Sequence, residues 1–418
     1  MRITFVGLTL CMAILSGCGT NPVTGKNQVT LMSQDQEIAL GKQQYSPSQQ
    51  SQGGAYLVDN RVNAYVNRIG QSLAKHSAQP NLPYDFVVLN NDVPNAWALP
   101  GGKIALNRGL LVLLEDEAQL AAVLGHEIVH AAARHSAEHA ATSTGIQILT
   151  AILQTQTDNN LYRQGAALGG GAVQAHYGRE NELESDYYGI NYMVAEGYDP
   201  HGAVELQQIF LRLSQDRGKA SWLDPLFASH PPSAERVRKN QARANQLPKG
   251  KRNKAAFQTA ISRILKDKPA YKLHQDALAT ARKEDWNKAL SLTNQAIKKQ
   301  SKEARFHITR GRLLDQKDNN KMAIKAFDQA IKLEPNYFSG WLYRGLTHQK
   351  IKLHTSAEKD FLASNQLLET QTANYNLGEI ALQKNQRQLA INYYRRAAKG
   401  GGEVAKAAAG KLKKLDTK

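Results

Sequence analysis

Two histidines and a glutamate on one predicted helix are the residues best suited to metal chemistry in this sequence. His126 and His130 lie four residues apart within Glu115–Arg134, a segment of helix formers with acidic residues in its first turn. Four residues correspond to about 40° around a helix axis, so both imidazoles face one point, with Glu127 beside it. At this spacing two histidines can hold Zn²⁺ while the glutamate acts as a general base on an attacking water. We therefore predict one zinc ion per chain and hydrolysis of peptide bonds.

Two further histidines follow closely, and helix geometry excludes them from that site. His135 and His139 would fall about 180° and 220° around the axis from His126, so they cannot easily share its metal.

A third ligand must come from elsewhere, because catalytic zinc is normally held by three protein groups with a fourth position left to water. Glu182 and Asp186 share one face of a second predicted helix, Arg179–Glu196, whereas Glu184 points about 200° away from Glu182. One of the pair would bind the metal, and the other could orient a ligating histidine. On spacing alone an ordinary acidic helix surface fits equally well.

Four segments carry a resemblance to a known family: Asn21–Gly25, Asn95–Gly102, Gly125–His135 and Glu182–Asp186. Together they resemble the gluzincin (HExxH) metallopeptidases, in particular bacterial periplasmic lipoprotein peptidases with C-terminal tetratricopeptide repeats. The resemblance implies that Glu182 is the third zinc ligand and that Asp186 supports the site.

The same resemblance gives a role to a His-Pro motif at Ser229-His230-Pro231, with Arg236 beyond it. His230 would either stabilise the oxyanion or move onto the zinc and block the water. The alternative is that His230 is only a turn residue before two prolines.

A predicted hairpin before the first zinc helix offers a surface for substrate. Pro100-Gly101-Gly102 is a turn signal between two short apolar runs. If this segment is an edge strand near the metal, an extended peptide could add to it as a further strand, which favours unfolded substrates. The predicted substrate-binding residues are Ala98, Leu99, Gly101, Gly102 and Ile104.

The N-terminus predicts export and lipid anchoring. Met1-Arg2 precedes an apolar stretch from Phe5 to Leu15, which is too short for an ordinary membrane helix. The run Leu15-Ser16-Gly17-Cys18 resembles a bacterial lipobox, which predicts lipidation of Cys18. Gly19, rather than an aspartate, favours the inner leaflet of the outer membrane, facing the periplasm. Both cysteines lie within the first 18 residues, which excludes a disulfide framework.

The C-terminal part repeats with a period of 34 residues. Frames beginning at Ala304, Phe338 and Gln371 carry small and aromatic residues at the positions typical of tetratricopeptide repeats, and a weaker unit begins near Ala270. The predicted fold class is therefore mostly α: a zincin-like α+β peptidase domain with a small sheet, followed by an all-α repeat solenoid. The predicted divisions are a signal peptide (1–17), a polar tether and first helix (18–54), the peptidase domain (55–245), a basic linker (246–269) and about four repeats (270–418).

Charge is unevenly distributed along the chain, but the distribution alone does not identify a partner. Residues 249–418 hold 35 of the 53 Lys and Arg residues and 15 of the 36 Asp and Glu residues, so this half is strongly basic. Lys-rich helical repeats are often solvated faces, and we expect no nucleic acid as a partner.

The main hypothesis is a lipid-anchored periplasmic zinc endopeptidase that degrades misfolded or stalled outer-membrane proteins. Its repeats would recruit unfolded envelope proteins or an outer-membrane assembly complex. The alternative is a chaperone or adaptor module whose peptidase site is kept silent by His230. A third idea is that the apolar segment Ile146–Leu153, within a predicted flap or hairpin at residues 143–171, touches the membrane.

Overall fold

The computed structural model describes residues 18–139, 177–215 and 224–416. The chain divides into two compact units, and the division falls between residues 262 and 263. The predicted signal peptide, residues 1–17, and the predicted flap, residues 143–171, lie outside the described residues. No helix in the described ranges is both long enough and apolar enough to cross a membrane.

The first unit combines helices with two small sheets. Its strands are β1 (Cys18–Thr20), β2 (Asn27–Val29), β3 (Asp85–Leu89), β4 (Ala96–Leu99) and β5 (Lys103–Asn107). Its helices are α1 (Gln34–Ser51), α2 (Asn60–Ala74), α3 (Arg108–Leu111), α4 (Glu117–Ala132), α5 (Arg179–Ala195), α6 (His201–Gln215), α7 (Asp224–Ser229) and α8 (Ala234–Ala244). The boundary between the units falls within α9 (Lys254–Ala281).

Helix α2 packs beneath the sheet through its apolar face. In α2, four apolar side chains recur at helical spacing and are all buried: Val62, Val66, Ile69 and Leu73. The Asp59 side chain caps this helix by accepting from the backbone N–H of Arg61, and α2 packs on β3.

The larger sheet has the order β3-β5-β4, with β5 parallel to β3 and antiparallel to β4. The β4–β5 turn requires glycine, because φ is +72° at Gly101 and +79° at Gly102. The predicted hairpin is confirmed, but the prediction of one edge-strand surface is only partly correct. Ala98 and Leu99 lie on β4, the edge strand of this sheet as described, and the two glycines lie in the turn. Ile104 lies on the central strand and is fully buried, so it cannot contact an added strand.

The segment predicted as a tether is structured from Cys18 onward. β1 and β2 pair as an antiparallel hairpin, and α1 follows after a capping box at Ser33. Asn21, which is 6% exposed, donates from Nδ2 to Glu184 Oε1 on α5 at 2.9 Å. The prediction of a polar tether was wrong for this stretch because its polar side chains bond to the rest of the unit.

The predicted linker is largely helix. Within α9, Phe257, Ile261 and Ile264 lie at helical spacing and are 0%, 1% and 0% exposed. Arg252, just before α9, binds Asp116 with Nε at 2.7 Å from Oδ2. The lysines of this region suggested a solvated segment, but its apolar stripe determines the structure.

The second unit is a series of helix pairs. The helices that follow α9 are α10 (Trp286–Lys299), α11 (Ala304–Gln316), α12 (Asn320–Leu333), α13 (Phe338–Lys350), α14 (His354–Leu367), α15 (Gln371–Gln383), α16 (Arg387–Ala397) and α17 (Glu403–Asp416). In three pairs, a glycine of the first helix lies against an aromatic ring of the second, leaving no space for a Cβ atom: Gly311 and Phe327, Gly345 and Phe361, Gly378 and Tyr394. The predicted fold class, with its helical repeats, is confirmed.

Candidate metal centre

Two glycines bring the predicted zinc helices into close contact. Helix α4 begins at an Asp116 cap, whose side chain accepts from the backbone N–H of Gln119 at 3.0 Å, and every residue of the helix is buried. It crosses α5 where Gly125 faces Gly189. A Cβ atom on Gly189 would lie 2.9 Å from the backbone nitrogen of His126. This close approach allows the side chains of α4 and α5 to converge.

Four side chains converge with atoms that could hold a metal ion. One ligand atom from each of His126, His130, Glu182 and His230 lies within 4.8 Å of the others. The Nε2 atoms of His126 and His130 are 3.0 Å apart, and Glu182 Oε1 lies 3.3 Å from His130 Nε2. Glu182 Oε2 lies 3.5 Å from His126 Nε2. The structure therefore brings together the three residues predicted as zinc ligands.

His230 lies between the converging donors and Glu127. It directly follows α7, and its backbone N–H donates to the carbonyl of Leu226 at 2.8 Å. Its Nδ1 atom lies 3.1 Å from Glu182 Oε1, and its Nε2 atom lies 3.5 Å from Glu127 Oε1. The ring is close enough to the donors to join them and close enough to Glu127 to face a reacting group.

Asp186 and Arg236 form the support of this cluster. Asp186 Oδ1 lies 3.0 Å from His126 Nδ1, on the side of the ring away from the other donors. Arg236 donates from Nε and Nη2 to the two oxygens of Asp186, both at 2.7 Å, and its Nη1 lies 2.7 Å from Glu182 Oε2. Ser233 caps α8 by accepting from the backbone N–H of Arg236 at 3.2 Å. The bidentate contact fixes both carboxylates relative to α8.

The cluster carries more negative than positive groups. It contains three carboxyl groups: those of Glu182 and Asp186 contact the guanidinium of Arg236, and that of Glu127 lies beside the ring of His230. Burial opposes charge on His126, but Glu182 and Asp186 outweigh it and raise the pKa of His126 to about 10. The same carboxylates would attract a divalent cation.

Two carboxyl groups of the cluster are shifted in opposite directions. Burial raises the pKa of Glu127 above its usual range. Burial would also raise the pKa of Glu182, but His230, Arg236 and His126 hold it well below its usual range. Glu182 is thus kept as a carboxylate, the form that binds a metal, while Glu127 is poised to accept a proton.

The donor set fits zinc. Two imidazoles and a carboxylate are the ligands of many catalytic zinc sites, and each histidine needs its Nε2 lone pair free for the metal. Asp186 can accept a hydrogen bond from His126 Nδ1, which leaves that lone pair on Nε2. Among the described residues, Glu127 Oε2 is buried without a hydrogen-bond partner, as expected for a group that acts on a small molecule.

Tyr177 lies against the donors and was not predicted. Its ring stacks on that of His130 with centroids 3.7 Å apart. Its hydroxyl donates to the carbonyl of Ala98 on β4 at 3.4 Å, and Ser136 Oγ donates to the same carbonyl at 3.5 Å. The β4 edge is therefore next to the metal centre, but its Ala98 carbonyl is already in use. No pattern in the sequence singled out this tyrosine.

The space beside the donors is small. A cavity of about 30 Å³ is lined by His126, Glu127, His230 and Arg236 together with apolar side chains of α4 to α8. This volume has room for about one water molecule.

His135 lies closer to the metal centre than the helix projection predicted. Helix α4 ends at Ala132, and Arg134 has a φ of +62°, so the chain turns before His135. His135 Nδ1 lies 2.9 Å from His130 Nδ1. It is not among the converging donors, but its predicted position on the far side of a continuous helix was wrong.

Comparison with known proteins agrees with this geometry. The model of peptidase family M48 matches residues 60–244, and a tetratricopeptide repeat model matches residues 304–337 and 371–399. The chain is 30% identical over 220 residues to the mitochondrial metalloendopeptidase OMA1 of Schizosaccharomyces pombe, covering 52% of this chain and 64% of that protein. It is 29% identical over 248 residues to the β-barrel assembly-enhancing protease of Escherichia coli, covering 56% of this chain and 49% of that protein. The chain thus spans about half to two thirds of these relatives. The predicted resemblance to metallopeptidases that carry C-terminal tetratricopeptide repeats is confirmed.

Proposed function

We propose that this chain, which matches peptidase family M48 and then tetratricopeptide repeats, is a zinc endopeptidase. Its substrates would be unfolded envelope proteins. The observation that carries the proposal is the convergence of His126, His130 and Glu182 within a buried cluster beside Glu127. Two histidines of one helix and a glutamate of another would hold one zinc ion per chain.

Each neighbouring side chain then has a role in the proposed reaction. A bound zinc ion supplies Lewis acidity and lowers the pKa of water. Glu127 accepts a proton from the attacking water and returns it to the leaving amine, a use that its raised pKa favours. Asp186 orients His126, and Arg236 holds the carboxylates of Asp186 and Glu182 in place. His230, near Glu127, would stabilise the oxyanion of the transition state.

Substrate would add to the β4 edge. Ala98 and Leu99 lie on that strand, and the contacts of Tyr177 and Ser136 with the Ala98 carbonyl are long, so a peptide N–H can replace them. Gly101 and Gly102 would shape the end of the edge at the turn. Because a folded chain has its backbone groups paired already, this mode of binding selects unfolded segments.

The place and partners of the enzyme form the finer part of the proposal. The lipobox-like run ending at Cys18 supports anchoring to the inner leaflet of the outer membrane. The name of the β-barrel assembly-enhancing protease suggests substrates among misassembled outer-membrane barrels. The repeats would recruit such substrates or the complex that assembles them.

Cleavage of an unfolded outer-membrane protein by the purified full chain tests the reaction. We expect cleavage by the parent, its loss in Glu127→Gln, and its loss on chelation with recovery when zinc is returned. Glu180→Gln is a matched control, because Glu180 is an exposed glutamate outside the cluster. Cleavage that survives both Glu127→Gln and chelation would exclude the proposal.

A second candidate function rests on the position of His230. Its Nδ1 atom is 3.3 Å from His126 Nε2 and 3.1 Å from Glu182 Oε1, so the ring can occupy the coordination position that water needs. The chain would then be mainly a chaperone or adaptor with a silent peptidase site. Cleavage that rises in His230→Ala supports silencing, whereas cleavage that falls supports oxyanion stabilisation.

Localisation and partners need separate experiments. Cys18→Ala should release the chain from membranes, and mass spectrometry of the parent should find a lipidated N-terminal cysteine. Co-purification of the full chain from envelopes should recover outer-membrane proteins or their assembly complex. Fractionation that is unchanged in Cys18→Ala would exclude the lipid anchor.

A further inference from the structure

A series of side chains in polar contact continues outward from the second zinc histidine. His130 Nδ1 lies 2.9 Å from His135 Nδ1, and His135 Nε2 lies 3.3 Å from Glu184 Oε1. Asn21 Nδ2 donates to the same glutamate oxygen at 2.9 Å. His135 is 1% exposed and Asn21 is 6% exposed, whereas the Glu184 side chain is 17% exposed and lies at an open surface pocket.

The hydrogen-bonding capacity of these groups allows one consistent assignment. Asn21 Oδ1 accepts from the backbone N–H groups of Val23 and Thr24, so its Nδ2 must point to Glu184. The Glu184 carboxylate only accepts, so a neutral His135 donates to it from Nε2 and keeps its lone pair on Nδ1. His130 must then donate from Nδ1, which leaves its Nε2 lone pair facing the other donors.

The backbone turn that brings His135 inward is also held by the N-terminal segment. Arg134 has a φ of +62°, a conformation that is unfavourable for a residue with a side chain. Its Nε donates to Glu37 Oε1 at 2.9 Å, and its Nη2 donates to the carbonyl of Met32 at 2.7 Å. The surrounding contacts therefore fix the one backbone geometry that places His135 on His130.

We infer that His135, held by Glu184 and Asn21, is a positioning residue that fixes the ring and tautomer of His130 for zinc binding. This inference rests on the proposed function. It gives the first zinc histidine and the second different supports: Asp186 for His126, and the His135–Glu184–Asn21 chain for His130.

Zinc affinity of the metal-stripped full chain, measured by competition with a fluorescent chelator, tests the inference. His135→Leu removes both hydrogen bonds and should weaken zinc binding roughly 10–100-fold, the usual cost of losing such a support. His135→Asn keeps an acceptor near the Nδ1 position and should retain affinity close to that of the parent. His135→Gln keeps only a donor toward Glu184 and should resemble His135→Leu.

The order of zinc affinity among the three His135 variants distinguishes a positioning role from a packing role. His76→Leu is the matched control, because it removes a His–Glu contact of 3.0 Å on the surface of the same unit and should not alter zinc affinity. Thermal unfolding of the metal-free variants reports any loss of fold. Equal affinity in the parent and His135→Leu would overturn the inference. The inference would also be overturned if zinc affinity fell in step with the unfolding temperature across the variants and His135→Asn bound zinc no more tightly than His135→Gln. A parent chain that binds no zinc overturns the proposed function and this inference with it, whereas failure of the variants alone leaves the proposed function intact.

Discussion

The close crossing of α4 and α5 gives a quantitative prediction for Gly189→Ala. A Cβ atom at this position would lie 2.9 Å from His126 N and 3.0 Å from Gly125 C. Both atoms belong to the backbone of α4, so no side-chain rotation can relieve the contact. Ordinary van der Waals contact begins at 3.4 Å. The helices must therefore separate by roughly 0.5 Å, the tolerance within which a functional site has to be held.

Separation of α4 from α5 changes the distances between the metal donors directly, because the donors belong to both helices. His126 and His130 lie on α4, and Glu182 lies on α5 only 3.3 Å from His130. Helix propensity favours alanine over glycine by about 1 kcal/mol, while overpacking costs about 1–3 kcal/mol. The net loss of folding stability should therefore be about 0–2 kcal/mol. The effect on catalysis should be larger than the effect on stability: misalignment at the reacting centre should lower kcat/KM by roughly 10–100-fold.

Zinc affinity, kcat/KM on an unfolded substrate and urea unfolding should be measured on the same preparations. Gly410→Ala is the matched control, since Gly410 lies within α17 and a Cβ atom added there would meet no atom of the described residues within 4 Å. It should keep both zinc affinity and activity. If Gly189→Ala binds zinc and cleaves substrate like the parent, the claim that these glycines set the spacing of the donors is refuted.

Three further predictions concern charge. Glu127→Gln should lower kcat roughly 10²–10⁴-fold while leaving zinc affinity near that of the parent, because Glu127 is a proton carrier in the proposal and not a ligand; equal loss of zinc would assign it to the ligand set. Arg236→Met leaves two carboxylates buried without their guanidinium and should destabilise the metal-free protein by about 3–5 kcal/mol in urea unfolding; unchanged stability would contradict the role given to Arg236. In the repeat unit, burial and the neighbouring Glu303 raise the pKa of Glu334 from 4.5 to about 8. The folded state thus binds this proton more tightly than the unfolded state, so its stabilising effect is complete below pH 4.5 and is lost as pH rises through 8, by up to ~1.4 kcal/mol per pH unit. Glu334→Gln should flatten this slope in thermal unfolding across about pH 5–8, and an unchanged slope would show that another group causes it.

Local patterns predicted which side chains share a helix face, and the family resemblance selected Glu182 from them and also His230. The spacing of His126 and His130 depends only on the period of a helix, and so does the shared face of Glu182 and Asp186. The 34-residue period likewise predicted the repeats, because each repeat needs a small residue where an aromatic ring packs against it.

Errors arose where a tertiary contact outweighed composition. Basic residues predicted a linker at residues 246–269, and the division between the two units falls within it, but from Lys254 onward the stretch is helical with Phe257 and Ile261 buried. Turn residues correctly predicted the hairpin, yet they carry no information on strand order. Parallel pairing with β3 is what places Ile104 at the centre of the sheet.

The sequence by itself determined which residues could bind a metal, since helical spacing is a local property of the chain. Tertiary structure decided how those residues are supported and how far apart they are held. The left-handed turn at Arg134, whose side chain binds Glu37 and the carbonyl of Met32, brings His135 next to His130. Contacts between residues so far apart along the chain leave no periodic trace in a single sequence, so only the folded chain could reveal them.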